Sequence, residues 1–156
     1  RTDTLFPYTT LFRSGGSRGG NGMIPKFRAW HNELGRMMSI SDMWFNVDSL
    51  GEIGLNDSVM NDYITVSPDE IELMQSTGLK DKNGKEIFEG DILCDEGIEQ
   101  EDEFVYVSVS SKEGMWICTQ ITNEDCGYSG ALNEFVSDYS IIGNVYENKG
   151  LLEVEE

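Results

Sequence analysis

The chain has 156 residues, of which 38 % are hydrophobic and 10 % aromatic, and this composition supports one folded core and excludes a disordered chain. Its 11 lysine and arginine residues stand against 29 aspartates and glutamates, and the net charge of -18 disfavours binding to nucleic-acid phosphates or to anionic lipid. No apolar run approaches the roughly 20 residues that a transmembrane helix needs, and no segment has the layout of a signal peptide, so we expect a soluble cytoplasmic protein.

The first 22 residues differ in character from the rest of the chain. Residues 1–14 (RTDTLFPYTTLFRS) resemble a translated sequencing adapter. Residues 15–22 (GGSRGGNG) resemble the translation of purine-rich DNA that lies upstream of a start codon. We therefore expect residues 1–22 to be a non-native, disordered leader, with Met23 as the natural start. Residues 23–156 are then predicted to form a single β domain. That domain is more acidic than the whole chain, because the leader contains three arginines and one aspartate.

The first predicted elements of the domain are two strands joined by a hairpin turn. Residues 27–30 and 36–47 read as the strands, and the turn at residues 32–35 contains the Asn and Gly that hairpins require. Residues 48–62 are rich in Gly, Asn, Asp and Ser, which predicts a long connection or an irregular insertion. Residues 63–66 (YITV) then predict a short strand.

Residues 67–78 fit two structures. Ser67, Pro68 and Glu70 match the N-cap, first-turn proline and capping box of a helix, and Gly78 suits a helix C-terminus. The same stretch is short and also fits a strand leading into the next turn. We predict a brief helical turn followed by a strand.

Two turns in the middle of the chain are predicted from single dipeptides. Asn83 and Gly84 form the strongest short-range hairpin signal. Gly90 and Asp91 lead into the next strand, and the Asp91 carboxylate is expected to accept a backbone N–H within that turn.

The last third of the chain predicts a second hairpin and a final strand. Residues 104–109 alternate with a period of two, and they pair with residues 115–122 across a turn at residues 110–114. Residues 132–139 predict a short helical turn, and residues 140–146 the last strand.

About six or seven short strands with little helix predict a mainly β fold. The expected architecture is a small, partly open SH3-like barrel, or a barrel-like sandwich, of short antiparallel hairpins with one or two short helical turns. Three tryptophans are expected to pack in the core rather than to form a base-stacking platform: Trp30, Trp44 and Trp116.

No catalytic, cofactor-binding or metal-binding residue is predicted. His31 is the single histidine, and acid–base catalysis would need an orienting carboxylate and a nucleophile within its reach. Cys94, Cys118 and Cys126 lack Cys-x-x-Cys spacing, which disfavours a zinc site. The acidic residues 91–103 lack the ligand spacing of a Ca²⁺-binding loop. We expect a protein that is not an enzyme.

The candidate interaction surface consists of two oppositely charged segments. The lysines near the Asn-Gly turn either keep the hairpin soluble and discourage edge pairing, or form a positive patch for a phosphate or an acidic partner. The acidic run is either a solvated loop or an interaction surface. The residues are Lys80, Lys82, Lys85, Glu99, Glu101, Asp102 and Glu103.

Three segments together resemble the YopX family of phage and prophage proteins. They are residues 24–30 (IPKFRAW), 73–93 (LMQSTGLKDKNGKEIFEGDIL) and 141–148 (IIGNVYEN), and the resemblance covers essentially all of residues 23–156. It implies a compact, mainly β protein that is encoded in a phage genome and made in the bacterial host cytoplasm. It implies no particular activity, since the family has no established one.

Three binding functions remain as hypotheses. The leading one is a non-enzymatic phage or prophage accessory protein that binds an unidentified host or phage protein. The first alternative is an acidic DNA mimic that inhibits a host nucleic-acid-binding protein, and the second is weak nucleic-acid binding through the lysine hairpin, which the net charge disfavours. Formation of a homo-oligomer stays open.

Overall fold

The structure is a computed structural model that describes residues 25–95, 106–121 and 128–152, together with the backbone of residues 9–13. Among these residues, every helical segment is a three-residue 3-10 turn, and no helix is long and apolar enough to cross a membrane. The chain divides into two compact units, Arg1–Leu73 and Met74–Glu156. The assignment of residues 23–156 to one domain stays a prediction.

The first unit is an antiparallel sheet with the strand order β5-β4-β3-β2, and β1 also pairs with β3. The inward faces of β2 to β5 supply its core, which includes Ala29, Met38, Met43, Ile53, Leu55 and Val66. The strands are β1 (Thr9–Arg13), β2 (Phe27–His31), β3 (Arg36–Phe45), β4 (Leu50–Asp57) and β5 (Asp62–Val66), and a 3-10 turn follows at Pro68–Glu70.

Strand β1 lies within the stretch that the sequence assigned to a disordered leader. Its register places Thr10 opposite Trp44 and Arg13 opposite Asp42 on β3. Residues 9–13 therefore form a strand in the structure, and the prediction that residues 1–22 are a non-native, disordered leader stays untested. That Met23 is the natural start stays a prediction.

Strand β4 corrects the sequence analysis, which expected a long connection or an irregular insertion at residues 48–62. Ile53 and Leu55 point into the core and are fully buried, so the segment does alternate with a period of two. Gly54 stands between them and hides the pattern, because glycine is depleted in strands. A Cβ at Gly54 would overlap the Asp42 carboxylate and the Tyr63 hydroxyl, which explains the glycine.

Asp57 closes the turn between β4 and β5. Its Oδ1 accepts hydrogen bonds from the backbone N–H groups of Val59 (2.9 Å) and Met60 (3.2 Å). Its Oδ2 lies 3.3 Å from Nη1 of Arg36. The buried carboxylate therefore has both polar and charged partners, as burial requires.

The second unit contains an open five-stranded antiparallel sheet with the order β11-β10-β9-β8-β12, in which β11 and β12 form the two ends among the described residues. Strand β6 begins in the first unit and pairs in the second with β7. The strands are β6 (Ile71–Lys80), β7 (Glu86–Phe88), β8 (Asp91–Asp95), β9 (Tyr106–Lys112), β10 (Met115–Gln120), β11 (Ser129–Ala131) and β12 (Tyr139–Asn144), with 3-10 turns at Leu132–Glu134 and Lys149–Leu151.

These elements confirm the predicted fold class of a mainly β protein with antiparallel hairpins and only short helical turns. The Pro68–Glu70 turn followed by β6 is the predicted helical turn and strand. The β9–β10 hairpin is the predicted second hairpin. The described strands outnumber the six or seven expected, because β1, β4, β7 and β11 were not predicted as separate strands.

The core of the second unit includes two valines of β9 that the alternating pattern of this strand predicted to lie on one face. Val107 and Val109 pack there with Leu93 and Cys118. The Phe135 ring meets the Tyr139 ring edge-on, with 5.2 Å between their centroids. Cys94 and Cys118 are both free thiols, and Cys126 lies outside the described residues.

The Cys118 thiol is expected to resist alkylation in the folded protein. Burial raises its pKa from 9.0 to about 12, and a change of that size lowers the thiolate fraction at neutral pH by roughly a thousandfold. Labelling with iodoacetamide at about pH 8, followed by peptide mass spectrometry, should show slow modification of Cys118 in buffer and fast modification in denaturant. Equal rates in both conditions would contradict the burial of this thiol.

Candidate functional site

The β6–β7 hairpin carries three of the predicted surface residues, Lys80 at the end of β6 and Lys82 and Lys85 in the loop, and we call residues 80–85 the lysine hairpin. All three lysines are exposed. Gly84 has a φ of 80°, and its N–H donates to the carbonyl of Asp81 at 2.9 Å. The loop thus has the positive φ that an Asn-Gly turn provides.

Asp81 lies beneath this loop and organises it. Its side chain is only 6 % exposed. One carboxylate oxygen, Oδ1, accepts hydrogen bonds from the backbone N–H groups of Asn83 (2.9 Å) and Lys85 (2.8 Å). The other oxygen, Oδ2, accepts from the N–H of Ile141 at 2.9 Å. A single carboxylate therefore holds both the turn and a strand that is distant in sequence.

The pKa of Asp81 is lower than its ordinary value of 3.8. Burial acts in the opposite direction and is the largest single influence, since it disfavours the charged form. The backbone hydrogen bonds from Ile141, Lys85 and Asn83, with the positive charge of Lys85, together outweigh it. Asp81 is thus held ionised in the folded protein.

The lysine hairpin also covers the outer edge of β12. The N–H of Lys82 donates to the carbonyl of Tyr139 at 3.1 Å, next to the bond between Ile141 and Asp81. Backbone groups of β12 that would otherwise offer an edge for pairing are therefore satisfied within the unit. The loop backbone has a structural role, while the lysine side chains stay on the surface.

Gly90 and Asp91 form the turn between β7 and β8. Asp91 is 1 % exposed, and its Oδ2 accepts a hydrogen bond from the N–H of Phe88 at 2.8 Å. Gly90 has a φ of 81°, its N–H donates to the carbonyl of Val109, and its own carbonyl accepts from the N–H of Val145, both at 2.8 Å. This turn therefore ties three separate segments of the second unit together.

The acidic half of the predicted surface, Glu99, Glu101, Asp102 and Glu103, lies outside the described residues. The structure therefore places the lysine hairpin, and the acidic half of the surface stays a prediction. Sequence reasoning missed Asp81, although its position two residues before Asn83 is a signal for an Asx turn.

His31 lies at the end of β2 and is buried, with 5 % exposure. Its Nδ1 accepts a hydrogen bond from the N–H of Leu34 at 3.3 Å, which places the ring inside the β2–β3 turn.

Trp44 departs from the prediction that the tryptophans pack in the core, because its side chain is 37 % exposed. Among the described residues, no group of three or more His, Cys, Asp or Glu side chains could hold a metal ion.

Comparison with known proteins gives a matching family and similar solved structures. The family described as YopX protein matches residues 26–153. The crystal structure of protein EF1440 from Enterococcus faecalis is similar, with a TM-score of 0.59 and 28 % sequence identity over 85 % of this chain and 100 % of that chain. No curated protein matches the sequence.

Proposed function

Since this chain belongs to the YopX protein family, we propose that it is a non-enzymatic phage or prophage protein that binds a host or phage protein in the bacterial cytoplasm. The observation that carries the proposal is the preorganised lysine hairpin. Three exposed lysines lie on a hairpin whose loop is fixed by the buried carboxylate of Asp81. A loop that is already ordered loses little conformational entropy when it binds.

The sign of the charge favours an acidic protein surface as the partner of the hairpin. The hairpin is a small basic patch on a chain whose net charge is -18. A nucleic acid would present a long phosphate array to the whole molecule, so the repulsion from the rest of the chain would outweigh three lysines. An acidic patch on a protein can meet the hairpin alone.

Neutralising the hairpin is expected to release the partner. We would capture partners from lysogenic or infected cells with the wild-type chain and with the double variant Lys80→Gln, Lys85→Gln. The control is Lys112→Gln, Lys149→Gln, which changes the net charge by the same amount at two exposed lysines elsewhere in the second unit. Partner recovery should fall by roughly tenfold for the hairpin variant, as is typical of removing interfacial charge pairs, and should be unchanged for the control.

Two results would contradict the proposal. Equal recovery with both variants would remove the hairpin from the interface, and recovery of nothing above background would remove the partner. The DNA-mimic alternative predicts a third pattern, in which a basic nucleic-acid-binding protein is captured independently of the lysines and is released by moderate salt.

A further inference from the structure

A cavity of about 510 Å³ opens on the first unit, at the β3–β4 hairpin. Its lining residues are Trp44, Asn46, Gly51, Glu52 and Ser67. The hairpin turn is closed by the N–H of Asn46, which donates to the carbonyl of Ser49 at 2.8 Å. The cavity therefore lies on an ordered hairpin, and its lining combines an indole, a carboxylate and an amide.

Trp44 and Glu52 are direct cross-strand partners on β3 and β4. Both side chains are exposed, and partners in such a pair have Cβ atoms about 4.5 to 5.5 Å apart. An exposed aromatic face and a carboxylate are thus neighbours on one surface.

The indole of Trp44 is held in place by a second carboxylate. Its Nε1–H donates to Oδ1 of Asp42 at 2.8 Å. The hydroxyl of Tyr63 donates to the same oxygen at 3.2 Å. The ring is therefore oriented before any ligand arrives, and the negative charge of Asp42 lies at its edge.

We propose that this cavity binds an arginine side chain of a partner protein. A guanidinium stacks on an indole face and forms paired hydrogen bonds with a carboxylate, and its planar shape suits both contacts at once. Glu52 supplies the carboxylate, and Trp44 supplies the face. Charge complementarity favours a cation here, because Glu52 and Asp42 flank the ring and the chain as a whole has a net charge of -18.

The tip of the same hairpin offers an apolar contact beside the cavity. Val47 is 80 % exposed in the turn next to Asn46. A valine of this kind can pack against apolar residues that flank the arginine of the partner, since protein interfaces combine apolar burial with the polar contacts that orient the partner. The inference rests on the proposed function only in assuming that the arginine belongs to a partner protein. The cavity lies in the first unit, and its residues do not include the lysines of the second unit.

The experiment is an NMR titration of the intact chain, labelled with ¹⁵N, with N-acetylarginine amide as the probe. The Trp44 indole signal is assigned from the Trp44→Phe variant. N-acetylcitrulline amide is the neutral probe of the same shape. We expect a saturable shift of the Trp44 indole signal with the arginine compound and a response at least roughly fivefold weaker with the citrulline compound, since the cation carries the interaction.

Two variants test the residues. Glu52→Gln should weaken the binding of the arginine compound by roughly fivefold or more, since it removes the charge that pairs with the guanidinium, whereas Glu33→Gln, at an exposed turn position of the same unit, should leave the affinity unchanged. Gly51→Ala should also weaken the binding of the arginine compound, because its Cβ would lie 3.1 Å from Nδ2 of Asn46 and narrow the cavity. Backbone spectra that match the wild type show that each variant is folded.

Equal shifts with both probes, or an unchanged affinity in Glu52→Gln, would overturn the arginine site. That outcome is separable from failure of the proposed function, because capture through the lysine hairpin is measured with different variants in different experiments. Equal partner capture by the wild type and the lysine variant, with an intact arginine response, would overturn the hairpin proposal alone.

Discussion

Replacing Asp81 with alanine is expected to lower the free energy of unfolding by about 3 to 5 kcal/mol, because hydrogen bonds to a charged group contribute about 1.5 to 3 kcal/mol each and unpaired donors add a cost. The substitution removes the acceptor for the N–H groups of Asn83, Lys85 and Ile141 at once. The measurement is equilibrium denaturant unfolding, monitored by tryptophan fluorescence. The turn and the edge of β12 are lost together, so the effect should exceed that of an ordinary surface change.

The control for this experiment is Asp138→Ala, at an exposed aspartate of the same unit. Surface substitutions of this kind usually change stability by about 0.5 kcal/mol or less. Asp81→Asn should fall between the two, since its amide keeps one acceptor oxygen and places an N–H₂ group against backbone donors. If Asp81→Ala matched Asp138→Ala, the carboxylate would not hold the loop to β12.

The contribution of Asp81 should also depend on pH in one direction. Its pKa is lowered in the folded state, so the folded protein favours the ionised form more than the unfolded chain does. The stabilisation is therefore fully present above the ordinary pKa of 3.8 and is lost as the pH falls through the lower pKa of the folded state. The stability difference between the wild type and Asp81→Asn should narrow on acidification, and a constant gap would contradict the assignment.

The sequence predicted those features of the second unit that depend on adjacent residues. The turn at Asn83 and Gly84 follows from a dipeptide whose backbone preference acts over four residues. The role of Asp81 does not follow from adjacent residues, because one of its partners, Ile141, is 60 residues away. Spacing along the chain does not say which distant backbone N–H a carboxylate meets after folding.

The first unit shows the same limit at its surface. Trp44 was expected in the core because large aromatic side chains are usually buried. The alternation of β3 instead puts it on the outward face with Asp42, where its N–H finds an acceptor. Its cross-strand neighbour Glu52 could not be predicted, since the strand that carries it, β4, was expected to be irregular. The cavity became visible only once the register of β3 and β4 was known.

Two of the three segments that resemble the family contain buried side chains that hold turns of the backbone. Residues 73–93 contain the Asp81 loop and the turn at Gly90 and Asp91. In residues 141–148, the buried Asn144 accepts hydrogen bonds at Oδ1 from the N–H groups of Tyr146 (3.0 Å) and Glu147 (2.9 Å). Buried side chains hold turns in both segments, so the resemblance predicted the fold but no binding chemistry.

Gly143→Ala is expected to lower the free energy of unfolding by about 2 to 4 kcal/mol, which combines overpacking with the loss of a hydrogen bond. A Cβ at residue 143 would overlap the carboxamide of Asn148. That carboxamide accepts the N–H of Asn144 at 3.1 Å, and the N–H of Asn148 donates to the carbonyl of Asn144 at 3.0 Å. The new methyl group would displace Asn148 and open the turn that follows β12.

Gly150→Ala is the matched control, since a Cβ there meets nothing within 4 Å, and its stability should stay within about 0.5 kcal/mol of the wild type. The cause of the loss can be isolated with Asn148→Ala, which removes the overlapping atoms. In that background Gly143→Ala should cost much less than in the wild type, because two residues in direct contact do not act additively. Additive losses in the double variant would place the strain elsewhere than between residues 143 and 148.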